Sequence, residues 1–123
     1  MKTVLIVDDN ASVRHGLIML LNALNYDCEI FETATRAQVI ELSKSLLPTI
    51  ILIDCCLSGK NVFSVVKKVI EASPQSKIIA LSLYDDSDNR TQANYSGISV
   101  FVSKYDNPIE LLRVIRRYLE NAR

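Results

Sequence analysis

Four apolar runs in this 123-residue chain lead into a group that can do chemistry. TVLIVD ends on Asp8 with Asp9 directly behind it, TIILID ends on Asp54, KIIALS ends on Ser82, and SVFVS is followed by Lys104. Two carboxylates about 4 Å apart repel by about 4 kcal/mol at an effective dielectric of about 20, and a third makes this worse, so a cation belongs among them. Hard oxygen donors of this kind suit Mg²⁺ or Mn²⁺, which take a few carboxylates together with waters and a phosphate oxygen. Lys104 adds a fixed positive charge and Ser82 a hydroxyl donor. A carboxylate nucleophile beside a divalent metal, a lysine and a hydroxyl is what forming an aspartyl phosphate needs. Asp54 would attack in line while the metal and Lys104 neutralise the equatorial oxygens.

Each of these residues also has an ordinary structural use. Asp8 and Asp9 suit the start of a helix capped by Asn10, where the macrodipole favours acids. Lys104 suits a solvated position and Ser82 a turn. Their joint placement argues for a site, because each stands at or just past the C-terminal end of a different apolar run.

The runs that must position them read as strands at 3 to 8, 28 to 32, 49 to 54, 77 to 82 and 99 to 103. Several are apolar almost throughout, as strands covered on both faces should be. Segments of helical period alternate with them. Val13, Leu17, Leu20, Leu21 and Leu24 form one stripe, and Val62, Phe63, Val65, Val66, Val69 and Ile70 form another despite their β-branching. A helix from Arg36 to Leu47 should stop before Pro48. The last helix should take Asn107 as its cap and Pro108 as its first residue, with Leu111, Leu112, Ile115, Tyr118 and Leu119 on its apolar face. Residues 85 to 96 hold almost nothing apolar, and a fourth, loosely held polar helix is expected there. The alternation predicts an α/β fold with a parallel sheet of five strands. In such folds the working site lies at the carboxyl edge of the sheet.

Composition fits one domain over residues 1 to 123. With 49% apolar residues the chain can bury a sizeable core without disulfides. Fourteen Lys+Arg balance fourteen Asp+Glu, so there is no net field to hold a nucleic-acid backbone, and direct DNA binding is not expected. No apolar run reaches the ~18 residues of a membrane span, and the chain enters a strand at once without a signal-peptide layout, so the cytoplasm is the expected location. Three cysteines without a CxxC or a histidine pair argue against a disulfide framework or a zinc site, and Cys28 and Cys55 read as small buried hydrophobes. A redox pair at Cys55 and Cys56 finds no assigned thiolate-stabilising cation. His15 reads as a surface residue.

VLIVDDN, Asp54 after IILI, Ser82 after IIAL and Lys104 after VFVS together resemble the receiver domain of two-component response regulators, over essentially the whole chain. YDD at 84 to 86, Gly97 and PIEL at 108 to 111 look like the same family's loops and final helix. The resemblance implies a flavodoxin-like, doubly wound sheet of order 2-1-3-4-5 with five helices. It implies that Asp54 accepts a phosphoryl group from a histidine kinase or a histidine phosphotransfer protein. It also implies that Asp9, Asp54 and the backbone carbonyl of Cys56 ligate Mg²⁺, with Asp8 acting through water. Ser82 and Lys104 would grip the phosphoryl group, and Phe101 stands at the switch aromatic. The added charge of about −1.5 to −2 would then remodel the face made by segment 85 to 96, the last strand and the last helix. Through that face the resemblance implies output and a possible homodimer. ELLRVIRRYL is similar to the final helix of receivers joined to helix-turn-helix DNA-binding domains, which implies transcription regulation through an output domain absent from this chain.

Departures from the family pattern keep a second reading in play. Ser58 stands where Pro is usual, Val62 where Gly is usual, Leu83 where a small residue often follows the hydroxyl, and Tyr105 where Pro follows the lysine. The alternative is a pseudo-receiver, an interaction module that works without phosphorylation. A flavin carrier on the same fold would need a Ser/Thr/Gly-rich loop after the first strand, where this chain has VDDN. A phosphatase of the haloacid-dehalogenase type would need an acid two positions after Asp54, where Cys56 stands.

Overall fold

A computed structural model describes residues 2–57, 62–82, 97–103 and 108–121. Their elements run β1 (Lys2–Val7), α1 (Ala11–Ala23), β2 (Cys28–Thr33), α2 (Arg36–Leu46), β3 (Ile50–Asp54), α3 (Phe63–Ala72), β4 (Lys77–Ser82), β5 (Val100–Ser103) and α4 (Pro108–Asn121). The strands form one sheet of order β2-β1-β3-β4-β5, and every neighbouring pair is parallel. The expected sheet order is therefore met. Four helices lie among the described residues; the one expected at 85 to 96, fourth in chain order of the five, falls outside them, as does the expected cap Asn107.

Side chains alternate across a strand, so each apolar run feeds two cores. Leu5, Val7, Ile51, Ile53, Ile78 and Ala80 pack with Val39 of α2 and with Val65, Val66 and Val69 of α3. Val4, Ile6, Ile50, Leu52, Ile79 and Leu81 pack on the other face with Leu17 and Leu21 of α1 and Leu111, Val114, Ile115 and Leu119 of α4. All five residues of β3 are buried. Burying each large aliphatic side chain contributes about 1.5–3 kcal/mol, which fixes β3 as the centre of the sheet.

Local chemistry sets the helix ends. Asn10 caps α1, its side-chain oxygen accepting from the amides of Ser12 at 2.9 Å and Val13 at 3.3 Å. Thr35 caps α2 through the amide of Gln38. That helix closes on Leu47 in the left-handed region, φ 47° and ψ 61°, just before Pro48. Val62, expected on the apolar stripe of α3, instead precedes the helix as a buried cap residue without a side-chain cap bond. A valine side chain has no oxygen to offer there, and burial holds the residue in place.

Candidate functional site at the carboxyl edge

Parallel pairing brings the ends of β1, β3, β4 and β5 to one edge. Asp8 follows β1 immediately, while Asp54, Ser82 and Ser103 are the last residues of their strands. In the β3–β4 register Asp54 lies opposite Leu81, one position before Ser82, and Ser82 lies opposite Ser103. Asp8, Asp9 and Asp54 come together as the sequence suggests: one carboxylate oxygen from each lies within 4.8 Å of the others. Asp8 is 1% exposed and Asp54 9%, whereas Asp9 faces solvent. Ser82 is buried. Lys104 and residues 58 to 61, 83 and 105 lie outside the described residues.

Backbone contacts hold the acids in this arrangement. Asp8 Oδ1 accepts from the amide of Asn10 at 2.9 Å, and Asp54 Oδ1 accepts from the amide of Cys56 at 3.1 Å. Both are local turns of the kind a short acidic side chain makes with the amide two residues on. The amide of Cys55 donates to the Leu81 carbonyl at 2.8 Å, and the carbonyl of Cys55 accepts from Val62 at 3.0 Å. Arg36 Nη2 donates to the Leu57 carbonyl at 2.8 Å, tying the chain after Asp54 to the start of α2. Of the adjacent cysteines, Cys55 is buried and Cys56 exposed. Half-buried Cys28 packs against the α1/α4 core, and burial, then the charge of Asp27, pushes its thiol up, away from thiolate chemistry. None of the three cysteines is in a disulfide among the described residues.

Asp8 is also fixed at its peptide groups. Its amide donates to the Thr33 carbonyl at 3.2 Å. Its carbonyl accepts from Arg14 Nη1 at 2.7 Å, and Arg14 Nε pairs with Glu32 Oε1 at 2.7 Å. Sequence reasoning missed Arg14 and Glu32. The available signal was a basic residue one helical turn past the Asn10 cap, but its acidic partner stands on a different strand.

The donor set fits a hard divalent cation. Three carboxylates share a small region in which two of them are shielded from water, and hard oxygen ligands are what Mg²⁺ and Mn²⁺ prefer. Phe101 sits half-buried opposite Ala80 and packs against the core under α2 and α3. Among the described residues no helix is long and apolar enough to cross a membrane.

Comparison with known proteins places this geometry in a family. The model of the response regulator receiver domain matches residues 4–116. The nitrate/nitrite response regulator protein NarL of Escherichia coli is 27% identical over 115 residues, covering 94% of this chain and 53% of that protein. The phosphate regulon transcriptional regulatory protein PhoB of Pseudomonas aeruginosa is 28% identical, covering 98% of this chain and 53% of that protein. The chain thus spans about half the length of the curated relatives it matches. The fold is similar to that of a signal receiver domain from Colwellia psychrerythraea, with TM-score 0.89 and 20% identity over 98% of this chain and 100% of that one. It is similar also to a CheY-like receiver domain from Methanospirillum hungatei, with TM-score 0.83 and 24% identity over 98% of this chain and 94% of that one. With a sheet of matching order, an acidic triad at its carboxyl edge and a family match over nearly its whole length, the chain belongs to the response regulator receiver domains.

Proposed function

We propose that this domain, spanning residues 1 to 123, receives a phosphoryl group on Asp54 from a histidine kinase or a histidine phosphotransfer protein in a Mg²⁺-dependent reaction. The observation that carries the reading is the convergence of Asp8, Asp9 and Asp54 within 4.8 Å. A carboxylate oxygen of Asp54 attacks phosphorus, the bond from phosphorus to the donor's imidazole nitrogen breaks, and the electron pair leaves with the imidazole. The bound ion supplies positive charge to the phosphoryl oxygens as charge builds on them. Asp9, Asp54 and the Cys56 carbonyl would hold it, with Asp8 acting through water. Ser82 donates its hydroxyl to the arriving group and Lys104 offsets its charge.

Movement of Ser82 and Lys104 toward the phosphoryl group would alter the packing of Phe101. The face around β5 and α4 would then change its affinity for a partner, a second copy of the chain or an output segment. The names of the relatives, a nitrate/nitrite response regulator and a phosphate regulon transcriptional regulator, support an output in transcription. A cytoplasmic site of action belongs to the same proposal.

Intact-mass measurement after incubation with acetyl phosphate and Mg²⁺ tests it. Wild type gains one phosphoryl mass and Asp54→Asn does not. Equal labelling of both would move the acceptor elsewhere, and no label on folded wild type would favour the phosphorylation-independent interaction module.

A further inference from the structure

Arg14 has no part in the chemistry above, yet its side chain is tied directly to the peptide that joins the two leading acids. Its side chain is 17% exposed, and its guanidinium is held on two sides. Nε pairs with Glu32 Oε1 and Nη1 donates to the Asp8 carbonyl, each at 2.7 Å. That carbonyl belongs to the peptide plane between Asp8 and Asp9. On the other side of Asp8, its amide is bound to the carbonyl of Thr33, the residue next to Glu32. The end of β2 therefore grips Asp8 twice, once directly and once through Arg14.

We infer that Arg14, oriented by Glu32, is a positioning residue that sets the rotation of the Asp8–Asp9 peptide and so aims both carboxylates at the cation. The inference rests on the metal reading of the proposed function. It gives a use to a guanidinium that holds the Asp8 backbone while its charge is shared with Glu32. It also explains the choice of arginine: a planar fork can hold a carboxylate and a carbonyl at fixed angles, which a lysine ammonium cannot.

Charge and positioning predict opposite signs for one substitution. Removing the guanidinium charge alone would tighten cation binding, whereas losing the orientation of the peptide would weaken it. Arg14→Gln paired with Glu32→Gln deletes the ion pair with no change in net charge and isolates positioning. Outer contacts that orient metal ligands typically alter affinity by about 10–100-fold when removed.

The experiment is calorimetric titration with Mn²⁺ of wild type, Arg14→Gln, Arg14→Lys, the Arg14→Gln/Glu32→Gln double variant and Asp9→Asn, each well below its own melting temperature. Expected are about tenfold weaker binding in Arg14→Gln and in the double variant, partial recovery in Arg14→Lys, and loss of binding in Asp9→Asn. Binding as tight as wild type in the folded double variant, or tighter binding in Arg14→Gln, overturns the inference while Asp9→Asn still reports an intact metal site. Wild type that binds no Mn²⁺, or Asp9→Asn that binds it normally, overturns the metal reading itself and this inference with it.

Discussion

Tyr26 and Glu120, 94 positions apart in the chain, are joined by a 2.5 Å hydrogen bond from the phenol to a carboxylate oxygen. Lys2 lies 5.9 Å from the same ring and donates to the Leu119 carbonyl. These contacts fasten the last turn of α4 to the beginning of the sheet, at the edge opposite the acids. The molecule thus closes with hydrogen bonds at one end of the sheet and gathers three carboxylates at the other.

The Tyr26 contact has a pH signature. Its bond to Glu120 holds the phenol above the ordinary tyrosine range, with desolvation and the Glu120 charge adding to this and Arg116 opposing it. A group whose folded value is raised contributes stability that is complete below the unfolded value, about 10, and is lost as pH climbs through the folded one. Wild type should lose melting temperature faster than Tyr26→Phe above about pH 10, and the two should run parallel below it. Parallel curves throughout would show that the bond does not form in solution.

A stabilising substitution is available at the end of α2. Leu47 closes the helix with φ 47° and is 63% exposed, so it bears left-handed strain with little packing in return. Glycine takes that conformation without a Cβ penalty, and left-handed geometry costs an ordinary residue about 1–2 kcal/mol. After allowance for the extra entropy of an unfolded glycine, Leu47→Gly should gain about 0.5–1 kcal/mol in denaturant unfolding. A loss would mean that the exposed side chain is covered by something in solution.

The sheet and the acidic triad were legible in the sequence because both depend on strand-scale pattern. A buried parallel strand must be apolar throughout, and a polar group at its end stands out, as Asp54 does after four branched residues. Val62 misled for a related reason: its spacing fits the stripe of α3, but period alone does not show where a helix begins when the cap residue is apolar. Val114 was left off the apolar face of the last helix although it is 4% exposed there. Arg14 could be noticed one turn past the Asn10 cap, but its pairing with Glu32 could not be read. The two meet only because β2 pairs with β1 and α1 turns back over that edge, a tertiary consequence with no local spacing to announce it.

The glycine at 97 should resist substitution. It has φ 94°, and a Cβ built there would run into the side chain of Ile70. Ile70 can shift its terminal methyl group, but the backbone cannot leave the left-handed region without dragging the entry to β5. Gly97→Ala should therefore destabilise the fold by about 1–2 kcal/mol. A trimmed neighbour, Ile70→Val, should recover only the steric part. Full recovery in the double variant would assign the cost to the contact and none to the backbone.

The acidic triad makes a prediction in which one substitution changes sign with conditions. Without a divalent ion, Asp8, Asp9 and Asp54 repel one another, and two of them are shielded from the screening that water would provide. Asp54→Asn removes one charge and keeps the shape, so in chelator the variant should be more stable than wild type by about 1 kcal/mol, a discounted share of the repulsion between close charges. Added salt should narrow that gap. Mg²⁺ should reverse the order: a ligand at 100 times its dissociation constant stabilises the folded state by about 2.7 kcal/mol, and the variant, lacking one ligand, gains less. Thermal melts of both proteins in chelator and in Mg²⁺ read the crossing directly. Should wild type already be the more stable of the two in chelator, the acids would not be strained by one another, and the physical reason for expecting a cation among them would be gone.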